Sequence, residues 1–250
     1  MSRWTLPLVA ALGGLLGICG LLWGQAWGVV GGVPTADRTR IERVVHDYIL
    51  AHPEILPEAM QKLQDRETAD RGRNAALVAD ANRKAIETPF ASAWAGNPAG
   101  DVTLVEYFDY NCGYCRATLP TVAALLKRDP KVRIVYREFP ILAQSSVDAA
   151  RMSLAAAEQG KFAGFHEALY AGGPVTMQSI AAAARTAGLD AARAAAFAPR
   201  AQAEIAANEA MARQLGLTGT PSWVIGRKVV SSALPLEELQ KAVAAARAGK

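Results

Sequence analysis

Val105-Glu-Tyr-Phe-Asp-Tyr-Asn-Cys-Gly-Tyr-Cys-Arg-Ala-Thr-Leu-Pro120 is the stretch that decides how this chain is read. The run that leads into it, Val102 to Tyr107, is apolar and β-branched or aromatic, which predicts a strand. Cys112 to Lys127 has helical spacing; Asn111 is placed to cap that helix, and Pro120 to kink or restart it. Two cysteines spaced C-x-x-C at a strand-to-helix junction mark a redox site. Asp129-Pro130 turns the chain, and Val132 to Glu138 reads as a second strand. Strand, helix and strand make a right-handed βαβ unit with parallel strands.

The chemistry follows from the placement. Thiolate is the attacking species, and a helix N-terminus favours an anion. Cys112 is therefore expected to face solvent with a lowered pKa, and Cys115, one turn in, to be shielded and act as the resolving thiol. Glu106 lies on the strand before the pair. A carboxylate in a core strand is costly unless partnered or protonated. It reads as a buried acid relaying a proton to Cys115, or else as an outward-facing strand residue; the bulky neighbours Val105 and Tyr107 favour the first. Half of a zinc site competes for a C-x-x-C, but zinc takes four ligands. Only Cys19 remains as a further cysteine and no His-x-x-x-His follows, so no metal and no other cofactor is expected.

Composition sets the class. The chain has 250 residues, 51% hydrophobic and 20% charged, enough for a sizeable core. Its net charge of +4 is dispersed, with no basic block interleaved with aromatics, so nucleic-acid binding is not expected. Arg3 precedes a nearly unbroken apolar run, Leu6 to Leu22, with small residues after it that suit cleavage after Ala26 or Gly28. Residues 1–28 are read as a signal peptide or an uncleaved N-terminal membrane anchor. Both put the remainder outside the cytoplasm. Cys19 lies within that run as apolar filler, which leaves the Cys112–Cys115 pair alone in the mature chain.

Residues 29–88 read as a helical extension, charged from Asp37 to Glu87: Ile41, Val44, Val45, Tyr48 and Ile49 recur at helical spacing, His52 to Pro57 interrupts, and Ala59, Met60 and Leu63 continue the stripe. Such a region buries little by itself. It reads as an oligomerisation stalk or a solvent-exposed linker, with His46 and His52 at the surface. Residues 89–250 hold the redox domain. Phe90 to Trp94 is a candidate edge strand, and residues 145–215 are helical and Ala-rich, with helices expected over Val147–Glu158, Phe162–Tyr170, Met177–Ala187 and Ala203–Leu215. His166, between apolar neighbours, reads as structural. Trp223–Ile225 and Lys228–Ser231 form a hairpin across Gly226-Arg227, and Leu236 to Ala246 a last amphipathic helix.

From about Phe90 to Ala246, this order of βαβ, helices and ββα resembles the thioredoxin fold, and more narrowly the DsbA family of periplasmic thiol:disulfide oxidoreductases. The fold class expected is α/β, thioredoxin-like, with a helical insertion between the βαβ and ββα halves and an N-terminal helical extension. The resemblance makes Cys112 the nucleophile, Cys115 the resolving cysteine and Cys112–Cys115 the redox-active disulfide. It makes Glu106 the buried acid, Pro221 a cis-proline lying against the disulfide, and Thr220, with Gly113 and Tyr114, part of the surface that meets the substrate peptide. Its partners would be exported proteins with cysteines and a membrane redox protein that resets the dithiol. Where DsbA-type oxidases carry Pro-His between the cysteines, this chain has Gly113-Tyr114, and a less oxidising pair is expected. Gly-Tyr there, and Thr before the proline, are similar to DsbC-type isomerases, which work as oligomers. The N-terminal extension is similar to those of ScsC-related and trimeric forms. An isomerase or reductase is therefore expected; a dedicated oxidase is the alternative, and a copper-binding or chaperone-like protein the alternative of another class.

Overall fold

The computed structural model describes residues 35–249. The expectations for the apolar N-terminal run, its cleavage and Cys19 lie outside them. Among the described residues, no helix is long and apolar enough to cross a membrane. The chain divides into two compact units, the first ending at Asp65 and the second beginning at Arg66.

The first unit is helical. Helix α1 is Thr35–Ala51, and α2, Ile55–Ala81, begins in this unit and continues into the second. Pro53 ends the first run because it has no N–H to continue the ladder. Pro57 is tolerated in the first turn of α2, where an N–H would be unpaired anyway. Ile41, Val44, Val45 and Tyr48 on α1 are exposed, as are Leu56, Met60 and Leu63 on α2. The polar stretch Gln64 to Arg73 does not interrupt α2. Pairs at helical spacing, Glu58 with Lys62 and Gln61 with Asp65, support the helix along its exposed side.

The second unit is a five-stranded sheet with helices on both faces. Its strands are β1 (Trp94–Gly96), β2 (Val102–Phe108), β3 (Val132–Glu138), β4 (Ser222–Ile225) and β5 (Lys228–Val230), in the order β1-β3-β2-β4-β5. Strands β2 and β3 are parallel, and all other pairs are antiparallel. Helix α3 (Arg83–Glu87) precedes β1, and α4 (Gly113–Arg128) joins β2 to β3. Then come α5 (Gln144–Glu158), α6 (Phe162–Ala171), α7 (Met177–Thr186) and α8 (Ala191–Gln214), and α9 (Leu236–Arg247) closes the unit. Leu104 and Phe108 face one cluster, with Leu125 of α4, Phe165 of α6 and Leu239 of α9. Val105 and Tyr107 face the other, with Ala79, Ile86 and Ala212. Strand β2 is buried along its whole length because both faces are covered.

Three local expectations shift. The edge strand is Trp94–Gly96, not Phe90–Trp94: Ala93 N–H donates to Phe90 C=O, closing a turn with Ala91 at φ 46°, and Phe90 packs its ring near Phe197. Gly96 ends that strand at φ 86°, and a Cβ there would lie 2.5 Å from the Val132 carbonyl oxygen, so only glycine fits. Helix α8 starts at Ala191 rather than Ala203. Asp190 caps it by accepting from Arg193 N–H at 2.9 Å, and the helix passes through Pro199 because Ala194, Phe197, Ala201 and Ile205 pack on Leu154 and Ala155 of α5. Pro120 likewise lies inside α4 without ending it.

Candidate active site

The C-terminal end of β2 delivers the chain to the site. Asp109, next after β2, is buried. Its carboxylate accepts the Asn111 N–H at 2.8 Å, closing an Asx turn, and the N–H groups of Ile141 and Leu142 at 2.9 and 3.0 Å. Its C=O accepts from Cys112 N–H at 3.0 Å. One side chain thus fixes the turn before α4 and the loop after β3. Asp109 was not among the expected site residues; its signal is an Asp two positions before Asn111 at a strand end.

Cys112, not Asn111, is the N-cap of α4. The Asn111 side chain turns away and donates to Ser145 and Ser146, both at 2.9 Å, so it ties α5 to the site instead. The Cys112 sulfur stands where the helix dipole favours negative charge. It does not face open solvent. Cys112 is only 6% exposed, because the Thr220 loop lies over it and its Sγ–H donates to the Thr220 C=O at 3.1 Å. Access comes from the side, through a cleft of about 300 Å³ lined by Asn111, Cys112, Gly113, Arg116 and Val175. Arg116 at its edge donates to the Gly173 C=O at 2.7 Å.

The covering loop is set by sheet register. Ser222 pairs with Tyr107, so Thr220 and Pro221 lie just past the end of β2, where the cysteine motif begins. The Thr220–Pro221 bond is cis and Pro221 is buried. Ser222 Oγ donates to Gly219 C=O at 2.6 Å and meets Ser231 Oγ at 2.7 Å, which holds the loop on the hairpin. Gly113 has open space around its Cα, and Tyr114 is 71% exposed. Ile141 and Leu142, on the loop tied by Asp109, are exposed as well.

Cys115 is buried one turn into α4. Burial pushes its thiol far above the usual range; a backbone hydrogen bond with Asp109 opposes this, and Glu106 and Cys112 add to it. Glu106 sits on the central strand, opposite Tyr136 and Trp223, and alternation puts it on the face of Leu104 and Phe108, the face of the cysteines. It is not outward-facing, since both faces of β2 are covered. Burial pushes its carboxyl up to about 8, against the lowering effect of a hydrogen bond from Thr118. Thr118 Oγ1 lies 3.1 Å from Glu106 Oε1 and 2.7 Å from the Cys115 C=O.

A second buried polar group lies beyond. Tyr110 OH meets Ser153 Oγ at 2.9 Å and His166 Nδ1 at 3.1 Å. Glu138 is held well above the usual carboxylate range by burial, with Ser153 opposing the shift. Burial lowers His166 to about 3, so its ring is neutral and packs among Phe108, Tyr136, Phe162 and Tyr170. That is a structural histidine. His46 and His52 pair with Asp47 and Glu54 on the first unit.

The family described as DSBA-like thioredoxin domain matches residues 103–244, more than half of the chain. The chain belongs to that family. Its thioredoxin-fold domain is of the thiol:disulfide oxidoreductase type. The N-terminal domain of the copper resistance protein ScsC matches residues 37–69, so this DsbA-family chain carries an ScsC-type extension. Among solved structures it is 43% identical to a thioredoxin-like oxidoreductase from Silicibacter pomeroyi DSS-3, over 66% of this chain and 96% of that one, at a TM-score of 0.62. A periplasmic thioredoxin-like protein from Salmonella enterica serovar Typhimurium is 29% identical, over 66% and 95%, at 0.59. ScsC of Proteus mirabilis in a transitional conformation is 25% identical, over 87% and 100%, at 0.61. Two curated relatives, the Na(+)/H(+) antiporters NhaA 3 of Salinispora tropica and NhaA 1 of Salinispora arenicola, are 43% and 39% identical over 75 residues. Each match takes in 28% of this chain and 11% of the antiporter.

Proposed function

We propose that this chain exchanges disulfides in exported proteins of the periplasm, acting as an isomerase or reductase. The observation that carries the reading is the pairing of an N-cap sulfur reached from a side cleft with a buried second thiol one turn on. The Cys112 thiolate attacks a client disulfide, forms a Cys112–client S–S bond and releases one client thiolate. The Thr220 backbone and exposed Tyr114 hold the client chain beside it. A second client thiolate then attacks the client sulfur, leaving a rearranged client disulfide and free Cys112. Where none is in reach, Cys115 gives its proton to the Glu106 carboxylate and attacks Cys112 Sγ. The Cys112–Cys115 disulfide forms and the client leaves as a thiol. A membrane redox partner supplies the two electrons that restore the dithiol.

Gly113-Tyr114 supports the isomerase or reductase direction, since no histidine between the cysteines stabilises the thiolate. The ScsC-type extension supports self-association through α1 and the start of α2, whose exposed Ile41, Val44, Val45 and Tyr48 leave an apolar stripe for two further copies in a trimer. Residues 1–28 then serve as the signal peptide or anchor, 29–88 as the stalk and 89–250 as the redox domain. A copper-binding reading has in its favour the copper-resistance description of the matched extension and the softness of two thiolates for Cu(I). The test is the reduction potential together with refolding of a scrambled-disulfide substrate. A reducing potential and recovery of the substrate are expected. Activity on reduced substrate alone with a strongly oxidising potential would make the chain an oxidase; stoichiometric copper binding with no exchange would make it a copper protein.

A further inference from the structure

Thr118 Oγ1 stands between two acceptors, Glu106 Oε1 at 3.1 Å and the Cys115 carbonyl oxygen at 2.7 Å, at a site only 3% exposed. A threonine in a helix commonly bonds back to the carbonyl one turn earlier. What sets Thr118 apart is the buried carboxyl on the facing strand. A hydroxyl has one hydrogen to donate and lone pairs to accept with. When Glu106 is protonated it can donate to Thr118 Oγ1, and the threonine hydrogen goes to the Cys115 carbonyl. When Glu106 is ionised it only accepts, so the threonine hydrogen must turn to it and the Cys115 carbonyl loses that bond. Both arrangements keep the carboxyl partnered, and they differ by one proton and one hydroxyl rotation.

We propose that Thr118 is a positioning residue for the resolving step, a hydroxyl switch that holds Glu106 in both protonation states and signals its ionisation to the backbone of Cys115. The inference rests on the reading of Glu106 as the base for Cys115. During resolution the Cys115 proton passes to the Glu106 carboxylate, the Cys115 sulfur bonds to Cys112 Sγ, and the client sulfur leaves with its bonding pair. As Glu106 gains the proton, the Thr118 hydrogen swings back to the Cys115 carbonyl. Without the hydroxyl, the ionised carboxylate loses the side-chain hydrogen bond the structure gives it. A hydrogen bond to a charged group is worth about tenfold or more in proton affinity.

The experiment follows resolution of a small aromatic thiol bound as a mixed disulfide to Cys112 in the otherwise reduced full chain. The rate at which Cys115 expels the coloured thiol is measured across pH in wild type, Thr118→Val, Thr118→Ser and Glu106→Gln. In wild type the rate should rise with ionisation of Glu106, and Glu106→Gln should remove that inflection. Thr118→Val should move the inflection to higher pH by about one unit and slow resolution about tenfold below it. Thr118→Ser, which keeps the hydroxyl, should restore the wild-type profile. Thr118→Ala removes the same group with less crowding and replaces the valine variant if that one fails to fold. A hydroxyl-free variant with an unmoved inflection would overturn the role of Thr118 alone. If Glu106→Gln and wild type share one profile, the base assignment falls and the switch with it.

Discussion

Replacing Glu106 by glutamine should stabilise the reduced protein at neutral pH and flatten part of its pH dependence. The carboxyl would ordinarily titrate near 4.5 and is pushed up to about 8 by burial. Its folded-state pKa is raised, so the folded chain binds a proton that the unfolded chain has lost. Stability from this group is fully present below pH 4.5 and is lost as pH rises toward 8. At about 1.4 kcal/mol per unit, the loss is about 3 kcal/mol between pH 5 and pH 7.5 and about 5 kcal/mol once the group is ionised in both states. That is a large share of the 5–15 kcal/mol typical of a domain. Glutamine keeps the shape and does not titrate, and Asp109 and Glu138 are common to both proteins, so their contributions cancel. Urea unfolding of the two reduced proteins, from pH 5 to 9, reads the difference. The stability of wild type minus variant should fall by about 3 kcal/mol over that first interval. A difference that stays flat with pH would show that Glu106 ionises as freely in the folded chain as in the unfolded one, and would refute its role as a proton acceptor tuned by burial.

Other sites give independent outcomes. His166, lowered to about 3 from 6.5, should have the opposite sign: below pH 6.5 the unfolded chain gains a proton that the folded chain refuses. Its contribution should fall by about 2 kcal/mol between pH 6.5 and pH 4.5, and His166→Gln should unfold less steeply with acid in urea titrations at those pH values. Arg137 donates to Glu204 at 2.8 Å and to the carbonyls of Ala85, Ile86 and Thr88, clamping α3 to β3 and α8. Arg137→Met should cost about 3 kcal/mol or more in urea unfolding, since it strands those groups. Val45→Asp, on the exposed face of α1, should reduce the mass seen by light scattering to that of one chain while leaving the rate of Cys115 resolution unchanged.

The two halves of the thioredoxin fold were legible because their strands are β-branched runs bounded by turn residues. Val132–Glu138 matches the expected strand end for end, and the hairpin across Gly226-Arg227 lies where Gly226 allows a positive φ. Helix α8 was half hidden. Pro199 is unfavourable locally, and only the packing of Phe197 and Ile205 on α5 carries the helix through it. In the site, the residue types were readable but their surroundings were not. Cys112 and Cys115 differ as expected in position on the helix, yet Cys112 is buried too, because the Thr220 loop arrives from more than a hundred residues away. Asn111 looked like a cap by adjacency alone; Ser145 and Ser146 compete for its amide and win. Thr118 carries no signal in the sequence, because a threonine within a helix has an ordinary use and only the fold brings Glu106 of the facing strand to its hydroxyl.

In the proposed cycle Cys112 attacks and Cys115 resolves. The most direct measurement is the fate of Cys115→Ala in extracts of periplasmic proteins, separated without reductant and probed for adducts. Disulfide-linked client adducts that collapse on reduction, and that vanish in the further variant Cys112→Ser, are the predicted result. A Cys115→Ala protein that forms no adduct, or forms adducts that persist without Cys112, would contradict it.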